Sequence, residues 1–175
     1  NWADFSARLP RLIERFSLQG LNVSKSTYAV NAQVKHTSSG FNVELSSDMP
    51  DVKILYTLDG SLPNAGSNQY QAPLVFSQGA TLRARAQNVA TGEMYLERRL
   101  TLNLHKALGA KVTLFSDADR AWNTQPEVSL VDGVLARDQI FQLDDWATFP
   151  SDSFEAVLEF PRATEVTLFN MGFNA

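Results

Sequence analysis

Tyr56-Thr57-Leu58-Asp59-Gly60-Ser61-Leu62-Pro63, with Ser67 and the run Gln69-Tyr70-Gln71-Ala72-Pro73 behind it, decides how the chain folds. Before it, Val52, Ile54, Tyr56 and Leu58 alternate with Lys53, Leu55, Thr57 and Asp59, the period of a strand whose two faces differ. Asp59-Gly60 breaks that run. Glycine accepts positive φ, and an Asp side chain can bond backbone N–H groups one or two residues on, which fixes a tight turn. Pro63 keeps the chain from rejoining the ladder at once. Beyond Pro73 and Gly79, Leu82, Ala84 and Ala86 alternate with Arg83, Arg85 and Gln87, a partner strand with one apolar and one solvated face. This is the connecting loop of a small β-sandwich, and Asp59, Gly60 and Pro63 are its structural turn residues.

Working outward, residues 31–37 read as a first strand. Phe41, Val43 and Leu45 alternate with Asn42, Glu44 and Ser46 as a second strand ending at Asp48-Met49-Pro50. Leu100, Leu102 and Leu104 alternate with Thr101, Asn103 and His105 as a last one, and Glu93-Met94-Tyr95-Leu96 pairs with its neighbours across the Ala90-Thr91-Gly92 turn. Short strands punctuated by Gly, Pro and Asp make a sandwich over residues 26–104. Upstream, Trp2, Phe5, Leu9, Leu12, Ile13 and Phe16 recur at helical steps, which predicts a helix over residues 2–18 with a kink or a late start at Pro10 and Gly20 at its C-terminal end.

The loop carries a resemblance. Tyr56-Thr-Leu-Asp-Gly-Ser-Leu-Pro63, then Ser67, Tyr70 and Pro73, is similar to the Y-T-x-D-G-S-x-P…S…Y…P pattern of the chitobiase/β-hexosaminidase C-terminal domain. That module is immunoglobulin-like and follows the catalytic barrel of many bacterial β-N-acetylhexosaminidases of glycoside hydrolase family 20. Leu62 and Asn64 stand where the family often has Glu and Thr, both in a surface turn. Trp2-Ala-Asp-Phe-Ser-Ala-Arg-Leu9 resembles the W-x-D-F-x-x-R-L segment near the last helix of that barrel, so residues 1–25 are expected to be that helix and a linker. Asn1 reads as a cut end.

From His105 the character changes. Ala107-Leu108-Gly109, Leu130-Val131-Asp132-Gly133, Trp146 and Phe154-Glu155-Ala156-Val157-Leu158 resemble, in this order, the opening half of a discoidin-like (galactose-binding-like) jelly roll. Phe154, Ala156, Leu158 and Phe160 face one way, and residues 166–173 read as a further strand. Residues 105–175 amount to about half of an eight-stranded jelly roll. Such a half leaves strand edges open, so self-association through it, or heavy packing on the sandwich, is expected.

Overall composition narrows the function. Apolar residues make up 44% of the 175, enough for a packed core. Fifteen basic against nineteen acidic residues give a net charge of -4, which argues against a nucleic-acid partner. No cysteine is present, so disulfide frameworks and thiolate metal sites are excluded. No run approaches the ~18 apolar residues of a membrane span.

Family 20 catalysis, as the resemblance implies it, uses an Asp-Glu pair on the barrel with the substrate's acetamido group as nucleophile, and that pair would precede Asn1. The carboxylates here have plainer readings. Asp144 and Asp145 are adjacent, so they diverge on a strand or cap a turn, and Glu155 and Glu159 share a solvated strand face. His36 and His105 lie in different modules with no triad or zinc spacing around them. Discoidin-like modules can bind sugars through aromatics on end loops, which makes Trp122, Trp146 and Phe149 the carbohydrate-binding candidates. Trp146 is read chiefly as a core plug. Related modules often hold a structural calcium near the position of Asp132, the one carboxylate of such a site that can be seen here. No other cofactor is implied.

The expected whole is therefore mainly β, with an N-terminal helix, an immunoglobulin-like sandwich and a partial discoidin-like jelly roll. It reads as a non-catalytic accessory piece of a bacterial β-N-acetylhexosaminidase that releases terminal GlcNAc or GalNAc, secreted, periplasmic or on the cell surface, whose partners are the missing catalytic barrel and glycan. The alternative is a stand-alone carbohydrate-binding or cell-surface adhesion module.

Overall fold

The computed structural model describes residues 1–37, 40–121, 123–135, 147–150 and 153–169. These are mainly β, with one long N-terminal helix, an architecture consistent with a β-sandwich. They form two compact units. One holds Asn1–Val34, Asn42–Val75 and Thr81–Arg99; the other holds Lys35–Phe41, Phe76–Ala80 and the chain from Leu100 onward.

Helix α1 spans Trp2–Leu18, with the Asn1 side chain accepting from the Asp4 N–H at its start. It runs through Pro10 rather than starting after it. Ile13 and Ser6 are buried, whereas Trp2, Phe5 and Leu18 stay exposed. At the far end the Gly20 N–H donates to the Ser17 carbonyl and the Leu21 N–H to the Phe16 carbonyl. This paired arrangement closes off a helix when glycine follows the cap.

A 3₁₀ turn at Ser26–Tyr28 leads into the strands. These are β1 (Asn31–Thr37), β2 (Gly40–Ser46), β3 (Val52–Thr57), β4 (Asn68–Gln69), β5 (Leu74–Phe76), β6 (Ala80–Asn88), β7 (Met94–Leu102), β8 (Lys111–Leu114), β9 (Val134–Leu135) and β10 (Ala156–Glu159). One sheet runs β1-β2-β5, a second β4-β3-β6-β7-β9, and β8 pairs with β10. Every second residue of β2 from Phe41 to Leu45 is buried, as are Leu82, Ala84 and Ala86 on β6. Alternation places these apolar side chains on one face of each strand, and removing them from water drives the fold.

Two expectations need correction. Residues 94–102 form one continuous strand, not two short ones: Glu97 stays in the ladder with its charge paired to Arg83 on the neighbouring strand, and Arg99 keeps its charge in solvent. Val166, Leu168 and Phe169 belong to no strand; they are exposed, in irregular chain after the bend at Pro161-Arg162. The rest of that expected strand, residues 170–173, lies outside the described residues.

In the second unit, β9 extends the sheet from the end of β7, Thr101 opposite Leu135 and Leu102 opposite Val134. The Asn103 N–H donates to the Gly133 carbonyl at 2.7 Å, and Gly133 lies against the Phe41 ring, so closely that a Cβ there would come within 2.8 Å of it. Strands β8 and β10 are antiparallel, with Ala156 opposite Leu114 and Leu158 opposite Val112 on one face. Phe154, Ala156, Leu158 and Phe160 are half-buried, while Glu155, Val157 and Glu159 are exposed. Glu159 pairs with Lys111 across the strands at 2.6 Å.

Candidate functional site

The turn after β3 is held by a set of short side-chain bonds. Asp59 Oδ1 accepts from the Ser61 N–H at 2.9 Å and from the Ser61 hydroxyl at 2.6 Å. Gly60 takes φ +81°, a conformation that favours glycine. Thr57 Oγ1 donates to the Ser61 carbonyl, and Pro63 is fully buried beneath the loop. The next bend closes by the same chemistry, Asn64 N–H to Ser67 Oγ and Gly66 N–H to Asn64 Oδ1, both at 2.9 Å. The bonds from Ser61, its hydroxyl first, hold the Asp59 carboxyl below its ordinary range.

A shallow, open hollow of ≈ 480 Å³ lies beside this turn, lined among others by Tyr56, Leu58, Asp59, Ser67 and Asn68. Antiparallel pairing of β3 with β4 puts Tyr56 directly opposite Asn68. The Arg83 guanidinium, from β6, donates to the Gly60 carbonyl at 2.6 Å and so ties the turn to the sheet.

The sequence-derived sugar candidates fall elsewhere. Trp122, Trp146 and the pair Asp144-Asp145 lie outside the described residues. Phe149 is half-buried and packs edge-on against Phe154, ring centroids 4.7 Å apart. The chain around it is fixed by Asp119 N–H donating to the Thr148 carbonyl and by Ser116, whose hydroxyl accepts from the Glu155 N–H. Near residue 122, Asp119 and Asn123 both spend a side-chain oxygen on local turns, accepting from the Ala121 and Gln125 N–H groups. Asn123 is buried and donates to Ser129 Oγ at 2.6 Å, and Arg120 pairs with Glu127.

Asp132 Oδ1 accepts from the Val134 N–H at 2.8 Å. Among the described residues no three His, Cys, Asp or Glu side chains gather where they could hold a metal. Both histidines fall in the second unit. His36 is exposed on β1 with its ring against Gly109; His105 is half-buried, and burial holds its imidazole below its ordinary value. Sequence reasoning missed the hollow, because the Tyr56–Asn68 juxtaposition depends on a two-residue strand.

Residues 27–96 match the family described as the chitobiase/beta-hexosaminidase C-terminal domain, a match that spans the β3–β4 turn and implies an accessory role for this stretch. No curated protein sequence matches the chain closely enough to count as a relative. Among the described residues, no helix is long and apolar enough to cross a membrane.

Proposed function

We propose that the chain is a non-catalytic C-terminal part of a bacterial β-N-acetylhexosaminidase, working outside the cytoplasm to brace the barrel that removes terminal GlcNAc or GalNAc from glycans. The observation that carries this reading is the family match over residues 27–96 with the Asp59 turn inside it. The amphipathic helix α1 supports it, since exposed Trp2, Phe5 and Leu18 suit packing on a neighbouring domain. On this reading residues 1–25 are the barrel's last helix and a linker, residues 26–104 are the immunoglobulin-like module, and residues 105–175 are a partial discoidin-like module free to contact glycan through Trp122, Trp146 or Phe149.

The test adds the chain in trans to a family 20 catalytic barrel lacking its own C-terminal region. Association that raises the barrel's thermal midpoint, with no hydrolysis of nitrophenyl-GlcNAc or nitrophenyl-GalNAc by the chain alone, is expected. Failure to associate would overturn the bracing role, and turnover by the chain alone would overturn the non-catalytic one.

A further inference from the structure

We infer that the hollow beside the Asp59 turn is a binding site for a neutral pyranose sugar. Its ≈ 480 Å³ falls within the range of about 300–1,000 Å³ usual for small-molecule sites. One part of the lining is apolar: the half-buried Tyr56, and Leu58, which is 49% exposed just past the end of β3. The rest is polar and unspent. Asp59 Oδ2, the Asn68 carboxamide and the Tyr56 hydroxyl make no hydrogen bond to another described residue.

These groups match the chemistry of a sugar. A carboxylate oxygen only accepts, whereas an amide and a phenol both donate and accept, which is what neighbouring ring hydroxyls need. The C–H face of a pyranose can pack on an aromatic ring and a leucine, which together offer apolar area beside polar handles. Charge excludes the nearest competitors. No Lys or Arg lines the hollow, so a phosphate or carboxylate ligand would meet only the like charge of Asp59. A metal ion would find a single carboxylate with one oxygen already spent on Ser61. The loop needs little ordering to receive a ligand, because its own side chains already fix it. This inference does not rest on the hexosaminidase reading, and the hollow belongs to a different compact unit from Phe149.

The experiment titrates the full chain with GlcNAc, galactose and chitooligosaccharides, following backbone amide shifts. Saturable changes centred on residues 56–68 are expected. Asn68→Ala removes an exposed side chain that holds nothing in place, so it should leave the thermal midpoint unchanged and weaken binding about tenfold. Tyr56→Leu, which keeps apolar bulk, should weaken it further, and Phe149→Ala should leave the shifts of residues 56–68 in place. Absence of saturable binding up to millimolar sugar would overturn the proposal. So would binding that survives Asn68→Ala but disappears in Phe149→Ala, which would move the sugar to the other unit while leaving the bracing role untouched.

Discussion

Arg83 and Glu97 form a two-pronged pair, Nε to Oε1 at 2.6 Å and Nη2 to Oε2 at 2.8 Å, and the remaining prong, Nη1, reaches the Gly60 carbonyl. One planar cation thus joins β6, β7 and the turn after β3. Lysine could keep the charge but not three directed bonds. Arg83→Lys is therefore expected to loosen the turn nearly as much as Arg83→Ala. Limited proteolysis should show faster cutting within residues 59–67 in both variants, together with a small drop in urea midpoint. Wild-type resistance in Arg83→Lys would show that charge alone suffices.

Gly40 opens β2 at φ +150°, and a Cβ there would stand 1.8 Å from the Phe76 backbone carbonyl oxygen on β5. Backbone cannot yield as a flexible side chain can. Gly40→Ala should cost about 3 kcal/mol or more in chemical denaturation, or prevent folding. A cost below ~1 kcal/mol would mean the two strands can part at little expense.

Phe41 is 1% exposed, and its ring edge faces Gly133. Phe41→Ala should lose about 3–5 kcal/mol, and Phe41→Leu, which refills most of the volume, about 1.5 kcal/mol or less. Equal losses for the two would argue that ring shape, not volume, holds residues 131–135 in place.

Acid and alkali should act through different groups. Burial holds His105 below its ordinary value, so the neutral form suits the fold; its contribution is complete above about pH 6.5 and disappears as pH falls. Glu97 is lowered by the hydrogen bond from Arg83, so its contribution is complete above about pH 4.3 and lost through the acid range below that. Tyr28 and Tyr95 are raised, chiefly by burial, so their contribution is complete below about pH 10 and lost above it. Thermal midpoints against pH should show a plateau from about pH 7 to 10, with a shallow first decline near pH 6. His105→Gln should remove that decline and leave the steeper loss near pH 4. An unchanged profile would rule out His105 as its source.

What could be read in advance was what is local. The alternation in β3 and β6 follows from a period of two, and the Asp59 side chain bonds a residue only two positions away. Pairings between distant residues could not be read. Nothing near Glu97 in the chain points to its answering charge, Arg83, which stands fourteen residues back. Nothing in Val134-Leu135 names the end of β7 as its partner. Val166-Thr167-Leu168-Phe169 has the composition of a strand, but composition supplies no neighbour to pair with. Asn68 drew no attention because an exposed amide acquires meaning only once Tyr56 is opposite it.

The Tyr28 ring stacks on Tyr95 at 4.1 Å, and Lys25, three residues earlier, pairs with Glu93. At the other end of the connection, Leu21 is bonded back into α1. The slack between helix and sandwich is therefore only the chain from Leu21 to Lys25, a tether of roughly 14 Å at full stretch. The chain leaving α1 is thus pinned to β7 within a few residues by a stacked pair of phenols, a short leash that leaves the helix little room to swing.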